Sequence, residues 1–307
     1  MPDADLTPSA ARAILRRVAP AATLTGVVRR TGGELSGVHE LRCATPVIVK
    51  VYADEWSYRQ DKEVHVYRTL ARHGVGPVPE VLHVERAGGL LDRAFTVLTR
   101  VPGVPLSEVS PGLADDEHRG LYRGLGEFLA ALHGIGQDGF GEITTEVVDP
   151  EPANDRYMTR RFARTLSLFG GDPDLRRAVE EHVAERAGLF ARCPAPVLCH
   201  NDLHEGNVLV DRGADGWEVR GFVDVENAIA ADPVLDVAKT DYYSIRGDGA
   251  KLAGLLEGYG PLPDDWRDRV ALYSLHHALE LWNFFALIDN TSALPGIVDD
   301  VRRLVRP

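Results

Sequence analysis

Between Pro196 and Val210 the chain reads PVLCHNDLHEGNVLV. One apolar, strand-like run enters a polar stretch and a second leaves it, and loops placed by rigid strands are favoured positions for reactive groups. Within the loop stand His200, Asp202 and Asn207, in the spacing HxDxxxxN. A carboxylate and an amide five residues apart across such a loop can face one cleft. The carboxylate can accept a proton from a hydroxyl, and the amide oxygen can bind a hard cation. A later run, WEVRGFVDVE, brings Asp224 and Glu226 to the end of another strand. A carboxylate there can complete a Mg²⁺ site with Asn207.

Upstream, Lys50 lies in PVIVKVY, a strand that otherwise reads as buried. A lysine inside such a strand needs a partner or a ligand. Glu63, early in the next helix, and Glu55 are candidates for that partner, and an edge-strand lysine facing solvent is the less favoured reading. The turn TGGELSG (31–37) has glycines that let backbone N–H groups approach a phosphate, although a hairpin turn is the commoner meaning. Lysine is scarce, with four against thirty arginines, so the placement of each is worth inspecting.

The elements that must position these residues fall into two kinds. After an amphipathic helix at about 7–18, residues 23–52 read as strands with glycine-bearing turns, an antiparallel meander. A helix follows over 61–72, ended by His73-Gly74, then strands at 80–85 and 94–100. VPGVPLSEVSPG (101–112) has a linker's composition. Beyond it, helices are expected at about 115–133, 157–168, 173–192, 233–243, 248–258 and 264–288. A β island interrupts them at 196–200, 207–211 and 217–225. Asp232 can cap the helix that starts at Pro233.

This order of parts resembles the aminoglycoside phosphotransferase and choline kinase group of the protein-kinase-like superfamily. HxDxxxxN followed by a strand pair and a VD pattern carries the resemblance, with LGEFLAALH (125–133) and ADPVLDVA (231–238). Protein kinases have Arg before the catalytic Asp and Phe-Gly after the metal Asp; here Asn201 and Val225-Glu226 stand there. The resemblance implies an α+β, two-lobe fold: a nucleotide-binding N-lobe with hinge over 1–103 and a mainly helical C-lobe with the acceptor site over 104–307. It implies ATP, or GTP, and Mg²⁺ as cofactors. Asp202 becomes the base, His200 its support, and Asn207 and Asp224 the metal ligands. Lys50 with Glu63 and Ser36 would serve the phosphates. Backbone groups of Thr99 and Val101 would read the adenine, and Asp236 would brace the catalytic loop. His204, Glu226, Glu151 and Asp155 are candidate acceptor contacts. An antibiotic kinase acting on an aminoglycoside or a basic peptide is the first reading. A choline, ethanolamine or sugar kinase is the second, because HND is common in choline kinases and HGD is usual in aminoglycoside kinases. A nucleotide-binding regulator without catalysis is the third, and the intact set of Lys50, Asp202, Asn207 and Asp224 argues against it.

Composition excludes other classes. The net charge of −12 over 307 residues opposes nucleic-acid binding. Three cysteines without a CxxC spacing favour neither a disulfide framework nor a zinc site. Cys199 reads as a buried, inert thiol. The N-terminus lacks a secretory apolar core, and the stretch from Val270 to Ile288 contains His276, His277, Glu280 and Asn283, so a cytoplasmic protein without a membrane span is expected. No obligate protein partner is evident. The charge is unevenly spread: residues 1–103 carry +3 and residues 104–307 carry −15, consistent with an anionic nucleotide on the first part and a cationic acceptor on the second.

Overall fold

The structure is a computed structural model that describes residues 6–30, 36–54, 57–214 and 216–306. In chain order the N-terminal part contains α1 (Pro8–Val18), β1 (Gly26–Arg30), β2 (Ser36–Arg42), β3 (Val47–Tyr52), α2 (Tyr58–His73), β4 (Val81–Glu85), β5 (Phe95–Thr99), β6 (Val104–Pro105) and α3 (Leu106–Val109). There follow α4 (Asp115–His133), β7 (Phe140–Ile143), β8 (Val147–Glu151), α5 (Asn154–Leu168), α6 (Pro173–Arg186), β9 (Val197–Cys199), β10 (Val208–Arg212), β11 (Trp217–Phe222) and β12 (Ile229–Ala231). The chain ends in α7 (Pro233–Thr240), α8 (Gly249–Tyr259), α9 (Trp266–Leu287) and α10 (Leu294–Leu304). This is the expected α+β organisation, β-rich first and mainly helical later.

Two compact units divide the chain: Met1–Gly112 with Thr144–Glu146 and Glu205–Asn227, and the remainder. This division differs from one drawn at residue 103 because the β10–β11 hairpin joins the first unit. There β10 pairs with β6, giving a three-stranded sheet. Gly103 permits that pairing: its φ is +105°, and a Cβ would stand 2.4 Å from the Val210 carbonyl oxygen.

The main sheet of the first unit is antiparallel, ordered β1-β2-β3-β5-β4. Side chains alternate across a strand, and on β3 this separates two environments. Val47, Val49 and Val51 pack with Ile14 and Leu15 of α1 and with Leu41, Phe95 and Val97 in an apolar core. The opposite face presents Lys50 and Tyr52 to Glu63 of α2. Helix α2 starts at Tyr58, three residues earlier than the apolar spacing indicates, and ends at Gly74 in the left-handed region with φ 68°.

The second unit holds the sheet β8-β7-β12-β9 and the remaining helices. The expected β island is therefore split: β9 pairs with β12, whereas β10 and β11 pair with each other. β11 stops at Phe222, before Asp224 takes φ +65°. The helix expected over 173–192 is α only to Arg186 and continues as a 3₁₀ turn. That expected over 233–243 becomes a π turn from Asp241 to Ile245. Helices α4 and α8 approach closely through glycines. A Cβ on Gly126 would stand 2.2 Å from the Leu255 carbonyl oxygen, and one on Gly258 would stand 1.9 Å from that of Arg123. The LGEFLAALH helix is thus a packing element whose glycine is required by its neighbour. No helix among the described residues is long and apolar enough to cross a membrane.

Gly258→Ala forces the two helices apart and is expected to lower stability by about 1–3 kcal/mol, the usual cost of overpacking. Urea denaturation measures this; an unchanged midpoint contradicts the close approach.

Candidate active site

In the first unit the chemistry gathers round one lysine. The Lys50 Nζ is 2.6 Å from Glu226 Oε2, 3.0 Å from Asp224 Oδ1 and 3.2 Å from Glu63 Oε1. Lys50, Glu63 and Glu226 are all buried. Burial alone would lower the Lys50 pKa, but Asp224, Glu63 and Glu226 outweigh it and hold the ammonium well above the lysine range. Glu63 moves the other way. Burial, with Glu226 and Asp224 nearby, raises it to about 7 against the pull of Lys50 and the Tyr52 hydroxyl, which donates to it. Arg59 of α2 adds a second cation, 2.6 Å from Glu226 Oε1.

Of the two glutamates considered for Lys50, Glu63 makes the contact; Glu55 lies outside the described residues. Glu226, expected near an acceptor, instead joins Lys50 to Arg59. Asp224 donates its amide from that left-handed backbone position to the Tyr67 hydroxyl at 3.0 Å. Asn207, buried in a 3₁₀ turn, accepts the Val223 amide on its carbonyl at 3.0 Å, so it is hydrogen-bonded to the residue preceding Asp224. An amide and a carboxylate oxygen donor joined this way suit a hard divalent cation such as Mg²⁺.

Residues 31–35 of the glycine turn lie outside the described residues; Ser36 opens β2, paired with Tyr52. Thr99 donates its amide to the Glu80 carbonyl, and its hydroxyl accepts the Glu80 amide. The Thr99 N–H is therefore already paired. Val101 follows, half-buried.

In the second unit, α7 holds the loop that carries Asp202. Asp236 accepts the amides of His200 and Asn201, each at 2.6 Å, and His133 Nε2 lies 3.2 Å away. Burial pushes Asp236 up. Hydrogen bonding and charge from His133, the charge of His200 and the Asn201 amide outweigh it and leave the pKa lowered. Thr240 donates to the Leu203 carbonyl at 3.0 Å. Asp232 caps α7 through the Val234 amide and binds Arg269 and Tyr273. Asn201, at φ +60°, turns the backbone immediately before Asp202. Asp202 Oδ1 lies 3.6 Å from Lys239 Nζ and 4.0 Å from His204 Nε2. Glu151 pairs with Arg160, and Asp155 accepts the amide of Arg156 in the first turn of α5. Cys199 is fully buried, and burial first, then Asp236 and Asp232, push its thiol well above the usual range.

Sequence reasoning did not single out Arg59, Lys239 or Tyr243. Lysine scarcity was the available signal, since all four lysines are buried.

A sequence model of the phosphotransferase enzyme family matches residues 29–272. The chain belongs to that family. This phosphotransferase is also similar in structure to the aminoglycoside phosphotransferase APH(4)-Ia, with TM-score 0.73 and 17% identity, covering 98% of this chain and 99% of that one. The ternary complex of a thermostable APH(4)-Ia mutant with ADP and hygromycin B matches at TM-score 0.70 and 17% identity, over 97% and 98%. A GDP and kanamycin complex of an APH(2") enzyme matches at TM-score 0.72 and 14% identity, over 95% and 97%. The expected fold and enzyme class, a small-molecule phosphotransferase, therefore hold.

The raised pKa of Glu63 has a sign. Because the folded state keeps its proton up to about 7, against an ordinary 4.5, its contribution to stability is full below pH 4.5 and lost as pH rises through 7. The stability of the phosphotransferase minus that of Glu63→Gln should fall across that window. Urea midpoints of both proteins at several pH values measure it, and a flat or rising difference contradicts the burial.

Proposed function

We propose that this phosphotransferase transfers the γ-phosphoryl group of ATP, with Mg²⁺, to a hydroxyl of a small cationic molecule. The observation that carries this reading is the buried Lys50 held among Glu63, Asp224 and Glu226, which matches the demand for a fixed cation on donor phosphates. Lys50 and the turn before Ser36 would hold the phosphates, and the segment from Thr99 to Val101 would hold the base. Asn207 and Asp224 would hold Mg²⁺, which supplies charge neutralisation on the phosphates when bound. Asp202 would orient the acceptor hydroxyl and accept its proton as the acceptor oxygen bonds to phosphorus and the bond to the ADP oxygen breaks. His200 would support the loop through the hydrogen bond that its backbone N–H donates to Asp236.

An antibiotic kinase is the first reading of the acceptor. Similar folds are seen in complexes with hygromycin B and kanamycin, and the −15 charge of residues 104–307 favours a cation. Asn201 favours the second reading, a choline, ethanolamine or sugar kinase. Similar folds also hold ADP, AMP-PNP or GDP, so GTP belongs among the donors tested.

A coupled ADP-release screen with aminoglycosides, basic peptide antibiotics, choline, ethanolamine and sugars tests this. Turnover with one cationic class is expected, and Asp202→Ala should reduce it by about 10²–10⁴-fold while nucleotide affinity stays near wild type. Absence of turnover across the panel, or wild-type turnover in Asp202→Ala, would overturn the reading.

A further inference from the structure

Lys239 lies three residues beyond Asp236 on α7, and residues three apart share a helix face. That face already holds the loop through Asp236. Lys239 is 6% exposed, with its Nζ 3.6 Å from Asp202 Oδ1 and 4.3 Å from the centre of the Tyr243 ring. An ammonium buried this far is costly without opposite charge or an aromatic face. Burial pulls Lys239 down, yet Tyr243, Asp202 and Glu280 outweigh it and keep it cationic.

Tyr243 is placed by an irregularity. Residues Asp241–Ile245 form a π-helical turn at the end of α7, closed by Arg246 at φ +49°. Such insertions re-aim side chains and recur at functional sites. Here the turn sets the Tyr243 ring against the Lys239 ammonium and stacks it on His204, with centroids 6.0 Å apart and planes 17° from parallel. His204 in turn stands 4.0 Å from the same Asp202 oxygen. Two side chains, from the loop and from the helix, thus stand at one carboxylate oxygen, and the π-turn tyrosine packs against both.

We propose that Lys239 is a positioning residue for phosphoryl transfer: by binding Oδ1 it fixes the orientation in which the Asp202 carboxylate meets the acceptor hydroxyl, and Tyr243 braces the lysine in that role. The proposal rests on the kinase reading of Asp202 and deepens it. Misorientation of a reacting group by about 1 Å costs on the order of 10²-fold in rate. The loss should therefore appear in kcat and leave the nucleotide KM alone.

The test compares wild type, Lys239→Met, Lys239→Arg, Asp202→Asn and the Lys239→Met/Asp202→Asn double variant. Each is assayed by ADP release with the acceptor found in the screen, with urea midpoints as the check on folding. Lys239→Met should lose about 10²-fold in kcat with nucleotide KM within about twofold of wild type, and Lys239→Arg should recover most of it. In the Asp202→Asn background, Lys239→Met should cost nothing further, because the two act as one unit. A Lys239→Met kcat within about twofold of wild type overturns the positioning role while the kinase reading stands. An equal loss in both backgrounds also overturns it, because that is the behaviour of a merely structural lysine. Absence of wild-type turnover defeats the kinase reading itself, and is seen before any variant is compared.

Discussion

The first unit is organised by one buried cation. Lys50 satisfies three carboxylates from two distant stretches of chain, Glu63 on one side and Asp224 with Glu226 on the other. Burying an ion is expensive, and removing one partner from a buried pair costs about 3–5 kcal/mol because the other charge is stranded. The arrangement therefore fixes more than a contact. It ties β3 to α2 and, together with the β10–β6 pairing, holds the β10–β11 hairpin in the first unit, although most of the residues around Glu205–Asn227 in sequence belong to the second. The same economy explains Arg59: two glutamates and an aspartate round one lysine leave excess negative charge, and Arg59 offsets it at Glu226.

The second unit uses buried carboxylates in the same way. Asp232 and Asp236, both fully buried on or beside the first turn of α7, spend their oxygens on backbone amides, Arg269, Tyr273 and His133. Asp236, whose pKa is lowered despite its burial, stays ionised and holds the His200 and Asn201 amides in place. The loop before and through Asp202 is thus set by helix α7, not by its own flanking strands alone. Lys239, on the same helix, lies 3.6 Å from the side chain of Asp202 itself.

Much of this was legible in the residues. Residue pattern gave most elements, because β3 is a short apolar, β-branched run and α4 carries a continuous apolar face. Lys50, Asp202, Asn207 and Asp224 could be named from residue type and spacing. Other features left little trace. β12 is three residues long, too short for a period, and β8 contains Pro150 and a left-handed Asp149, both of which argue against a strand. The π turn breaks the 3.6-residue pattern that would have announced it. Glu226 reads from the sequence only as a candidate acceptor contact; its partner Lys50 lies 176 positions away, and no local pattern encodes a pairing of that range. Lys239 was hidden for the same reason in milder form: its meaning depends on a loop 37 positions earlier that only the fold brings to it.

In the proposed function Lys50 is the cation that meets the nucleotide. Calorimetric titration of Mg-ATP into wild type and Lys50→Met, with circular dichroism to show that both are folded, addresses this directly. Loss of a charge-assisted contact worth about 1.5–3 kcal/mol predicts binding weaker by roughly 10–100-fold in the variant. Equal affinity in the two folded proteins would contradict the account.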